Sequence, residues 1–94
     1  MGEPARKIDT LNLDAAMAYK AAAEAVFAVD CGVTAEDVLG DTSYIVTVPV
    51  PPTVARPHRA YADLEERVQR EIETRFPEFL GRAYLRYVRN GDAA

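Results

Sequence analysis

Apolar residues recur at helical period along most of this chain. Leu11, Ala15, Ala18, Ala22, Ala25 and Val29 follow one another at alternating spacings of four and three, and Tyr19, Ala23, Val26 and Phe27 widen the stripe. Eight of the fourteen residues from Ala15 to Ala28 are alanine, the strongest helix former. The spacing predicts a helix over residues 13–30, capped by Thr10 or Asn12 and stopped by Gly32 in a left-handed conformation. Tyr61, Leu64, Val68, Ile72 and Phe76 form a second stripe and predict a helix over 60–75. Its outer side carries i,i+4 pairs such as Asp63–Arg67, Glu66–Arg70 and Glu71–Arg75. Pro77 suits the first turn of a third helix over 77–89, with Phe79, Leu80, Ala83, Tyr84, Tyr87 and Val88 as its buried face.

One stretch breaks this period. From Ser43 to Pro52 the apolar residues Tyr44, Val46, Val48 and Val50 alternate onto one face, which predicts a strand over 43–50. Backbone N–H groups two residues apart point to the same edge, so Pro49 and Pro51 both remove donors from one edge. The expectation is an edge strand that pairs on one side only, through the edge of Tyr44, Val46, Val48 and Val50. Three partners fit that edge: residues 7–11 of the same chain, whose alternation reads as a short strand, the same strand of a second copy, or a strand of another protein. Thr34 to Asp37 reads as a capping box for a single helical turn closed by Gly40. The fold class is a small α+β domain spanning 1–94, with 1–6 and 91–94 expected to be flexible.

Charge changes this picture little. The net charge is −4, split as −5 over residues 1–55 and +1 over 56–94, where all eight cations are Arg. Cys31 is the only cysteine, which excludes an internal disulfide and a thiol zinc cluster and points to a reducing cytoplasm. The first thirteen residues lack the apolar core of a signal peptide. No run approaches the ~18 apolar residues of a membrane span, so no membrane partner is expected. Candidate chemistry is sparse. His58, the single histidine, sits between Arg56 and Arg59 in a proline-rich loop and is the one candidate general base. Cys31 follows a helix end, where the dipole disfavours a thiolate. Phosphate loops, nucleophile elbows and dinucleotide fingerprints are absent from the sequence. Neither an enzyme nor a metal or other cofactor is expected.

Two short stretches resemble known DNA-binding families. Val33-Thr34-Ala35-Glu36-Asp37-Val38-Leu39-Gly40 is similar to a helix connector in DnaA-type replication initiators, a similarity of capping chemistry. The order strand, helix, helix across Ser43 to Asn90, with Pro77 to Tyr87 as second helix, resembles a ribbon-helix-helix unit. That resemblance implies strands paired between two subunits in a DNA major groove. Independently of that resemblance, Arg82, Arg86 and Arg89, spaced four and three along one face of the expected third helix, form a candidate stripe for phosphates or an acidic partner. The unpartnered strand and the alanine seam favour another reading: a non-catalytic association module, an accessory subunit or regulator, that self-associates or docks on a partner protein. Its predicted contacts are Tyr44, Val46, Val48 and Val50 on the edge strand and Ala15, Ala18, Ala22 and Ala25 on the helix seam. A DNA-binding regulator is the second reading.

Overall fold

The computed structural model describes residues 3–89; residues 1–2 and 91–94, all expected to be flexible, lie outside that range. The first helix, α1, is Glu3–Phe27. It runs through residues 3–6, expected as a loose arm, and through 7–11, expected as a strand. Five alternating residues are too few to resist a helix propagating outward from the alanine-rich segment, where each added residue gains a hydrogen bond. At its other end α1 stops three residues short of position 30. Ala28 itself takes the left-handed conformation (φ 58°) assigned to Gly32, and its N–H bonds Glu24 O at 2.9 Å. The Glu24 carboxylate then accepts the Cys31 N–H at 3.0 Å, which guides the chain into the sheet.

That sheet has three strands, β1 (Gly32–Val38), β2 (Asp41–Val50) and β3 (Tyr84–Arg89), in the order β1-β2-β3. β1 is antiparallel to β2 and β3 is parallel to it. Residues 33–40, read as a capped helical turn, form a strand and its turn. Val38 pairs with Asp41, so Leu39 and Gly40 are the whole loop, and both have positive φ (52° and 87°). Two such residues make a type I′ turn, whose twist matches a hairpin, so Gly40 closes a hairpin rather than a helical turn.

β2 is the central strand, paired on both edges, and the expectation of an edge strand is overturned. The prolines are accommodated by offset. Pairing with β1 ends where Thr47 meets Gly32, whereas pairing with β3 runs from Ile45 to Val50. A ladder built on the donors of Val46, Val48 and Val50 loses nothing to Pro49, whose missing N–H falls on the opposite edge beyond the end of β1. The partner of β2 is thus neither residues 7–11 nor another chain.

The helix expected over 77–89 is absent. A 3-10 turn, Pro77–Phe79, leads through Gly81 (φ 79°) into β3. The sequence Tyr-Leu-Arg-Tyr-Val-Arg satisfies a period of two as well as one of 3.6, and the open edge of β2 decides between them. Without that helix, and with β2 paired inside the chain, the strand-helix-helix order of a ribbon-helix-helix unit is not present. The crossover from β2 to β3 contains α2 (Pro57–Ala60) and α3 (Ala62–Arg75), close to the helix expected over 60–75.

The result is two-layered. Val46, Val48 and Val50 of β2 are buried with Ala16, Tyr19, Ala22 and Ala23 of α1 and Val68 and Ile72 of α3. Tyr44, Val33, Leu85 and Tyr87, on the same side of the sheet, pack partly against this core. Tyr19 is fully buried and its hydroxyl is satisfied twice, donating to Gln69 Oε1 at 3.2 Å and accepting the Gly81 N–H at 3.0 Å. One atom thereby ties α1 to α3 and to the turn before β3.

Two stability effects follow. Tyr19→Phe keeps the ring but leaves the Gly81 donor and Gln69 without this partner, and is expected to cost about 1–2 kcal/mol in urea unfolding. Leu39 is fully exposed in a left-handed conformation, so Leu39→Asn is expected to stabilise by about 1 kcal/mol and raise the thermal midpoint.

Candidate functional site

α1 and α3 touch through their inner faces and diverge outward, leaving an open groove of about 730 Å³. Its α1 wall is Met17, Ala18, Ala21, Ala22, Ala25 and Val26, and its α3 wall is Arg67, Glu71, Ile72, Arg75 and Phe76. Small side chains on α1 create the space, since alanine at four of these positions leaves the helix surface low. Large apolar side chains border it: Met17 is 50% exposed and Phe76 41%. Isolated exposed apolar residues are ordinary, but here they adjoin a continuous apolar floor. Along the α3 wall Arg75 Nε bonds Glu71 Oε1 at 2.7 Å, and Arg67 has no ion-pair partner among the described residues.

The expected site residues divide sharply. Of the helix seam, Ala18, Ala22 and Ala25 line the groove, while Ala15 is fully buried. Of the edge-strand set, Val46, Val48 and Val50 are core residues and Tyr44 is half-buried beside them, so none offers a free edge. The arginine stripe does not exist. Arg82 donates to Glu78 O at 3.0 Å and to Asn12 Oδ1 at 3.3 Å. Arg86 pairs with Glu36 across the sheet, and Arg89 donates to Ala55 O at 3.1 Å. An odd spacing on a strand puts Arg86 and Arg89 on opposite faces. Met17, Ala21, Arg67 and Phe76 were not expected. The signal for Ala21 was its four-residue spacing from Met17 and Ala25, a row distinct from the buried seam.

His58 belongs to a second cluster, away from the groove. Its Nδ1 lies 2.9 Å from Glu65 Oε2, and the same oxygen accepts the Tyr87 hydroxyl at 2.7 Å. The rings of His58, Tyr61, Tyr87 and Phe27 pack with neighbouring centroids 4.8–6.0 Å apart, mostly edge to face. The cluster joins the ends of α1, α2, α3 and β3. Burial, then the bond to the Glu65 carboxylate, pushes the Tyr87 phenol well above its ordinary value. Burial and the nearby Glu24 carboxylate likewise raise the Cys31 thiol, which keeps it protonated and a poor nucleophile. Among the described residues no group of three His, Cys, Asp or Glu side chains is arranged to hold a metal ion, and no helix is long and apolar enough to cross a membrane.

No protein family, curated protein or solved structure matches this chain.

The shift of Tyr87 has a definite sign in stability. The unfolded tyrosine ionises near pH ~10 and the folded one only at higher pH. Its contribution is therefore complete below about pH 10 and is lost as the pH rises above it. Urea midpoints measured upward from neutral pH are expected to fall more steeply through the alkaline range for the wild type than for Tyr87→Phe. Equal slopes would show that Tyr87 ionises normally.

Proposed function

We propose that this chain is a small non-catalytic protein-association domain, an accessory subunit or regulator that works by occupying its α1–α3 groove. The observation that carries the reading is the apolar groove itself, with an alanine wall that admits a close-packed neighbour and Met17 and Phe76 exposed at its border. Apolar surface of this kind gains free energy in proportion to the area removed from water, at ~25 cal/mol per Å² before the costs of association. Cys31 is the single cysteine of the sequence, and we place the protein in a reducing cytoplasm on that ground. The non-catalytic character is supported by the setting of His58, whose Nδ1 is engaged by a carboxylate within a packed aromatic cluster and whose residues line no part of the groove.

Ala21→Arg tests the reading because Ala21 is exposed and lines the groove. The variant is expected to keep the wild-type circular dichroism and to lose whatever the wild type binds, whether another protein retained from host lysate or a copy of itself. Binding that survives both Ala21→Arg and Met17→Glu, or a chain that binds nothing, overturns the proposal.

A further inference from the structure

We infer that the occupant of the groove face is a second copy of this chain, packed antiparallel about a two-fold axis that passes between Met17 and Ala21. This rests on the association reading above and adds the partner's identity. The first observation is shape. Leu13, Met17, Ala21 and Ala25 of α1 are all exposed and lie at four-residue spacing, which forms one straight apolar ridge of the kind that packs against its like. The ridge is bulky in its first half and low in its second. A two-fold axis at its centre sets Leu13 against Ala25 of the second copy and Met17 against Ala21 of the second copy, each pair occurring twice. Large thereby meets small all along the contact, a complementarity that a parallel arrangement in register would forfeit.

Charge supplies the second observation. Phe27 packs edge-on against Tyr61, and the Tyr19 hydroxyl reaches Gln69. Eight residues back along α1 thus correspond to eight forward along α3, and the two helices run antiparallel. On that register Arg67 is level with Ala21 and Glu71 with Met17. The axis that exchanges Met17 and Ala21 therefore also sets Arg67 of each copy level with Glu71 of the other, whose Oε1 is held by Arg75 of its own chain. Arg67 is the groove-wall cation without an ion-pair partner among the described residues of its own chain, whereas Arg75 already has one.

Sedimentation velocity of the full chain at micromolar concentration is expected to show a dimer, and Ala21→Arg a folded monomer. Arg67→Glu and Glu71→Arg, each placing like charges together, are each expected to weaken the dimer by about 3–10-fold. The double variant Arg67→Glu/Glu71→Arg is expected to restore it, as is mixing the two single variants, which brings opposite charges together only between copies and so excludes a structural effect within one helix. A dimer indifferent to Ala21→Arg, or one the double variant fails to restore, overturns the inference. A monomeric wild type that still binds a different protein, with binding lost in Ala21→Arg, overturns the second copy as occupant and leaves the association reading standing. A monomer that binds nothing overturns both.

Discussion

β2 must pair both of its edges, and the placement of every other element follows from how it does so. The first edge is satisfied locally, by a hairpin whose two-residue turn needs only Leu39 and Gly40. The second is satisfied at long range, by the last strand of the described chain. A parallel neighbour cannot be reached by a tight turn, so the chain between β2 and β3 has to travel the length of the sheet, and α3 is that return path. Both α1 and α3 then lie on the same face, where Val46, Val48 and Val50 wait to be covered. The Tyr19 hydroxyl fixes the last degree of freedom, holding α3 and the turn into β3 at set distances from α1.

The two long helices, α1 and α3, were legible because their apolar spacing is unambiguous, whereas the four-residue α2 was read as a loop. The strand β2 was legible by its alternation, and so was the face it buries. What could not be read was any feature whose outcome depended on a distant partner. Tyr84 to Arg89 fits helix and strand periods equally, and only the vacant edge of β2, more than thirty residues earlier, selects the strand. Thr34 to Asp37 carries sound capping chemistry, but a hairpin offers its backbone groups more hydrogen bonds than one helical turn can. The prolines were read with the right chemistry and the wrong extent. They do forbid a full ladder on one edge, and β1 is short enough not to need one there.

The candidate site was half visible for a related reason. An alanine-rich helix has small residues on every side, so a single seam absorbed positions that the fold assigns to two surfaces. Ala15, Ala16 and Ala23 are fully buried, whereas Ala21 and Ala25 face outward into the groove. Identical side chains thus serve the core and the open face, and their sorting requires knowing which neighbours take which side. The charged wall of the groove was read as i,i+4 pairs, and the pair that forms from it, Glu71–Arg75, leaves Arg67 over.

The order of the strands in the chain bears on how the protein is made. α1, β1 and β2 leave the ribosome first and can dock on one another at once, through contacts close in sequence. The strand that closes the sheet emerges last. Until it arrives, the nascent chain presents a bare strand edge bordered by half-covered valines, a ready template for pairing with a neighbouring chain. Pro49 and Pro51 cannot protect that edge, since the donors they delete are on the other one. Synthesis therefore passes through an interval of exposure whose length is set by the time needed to translate α2 and α3.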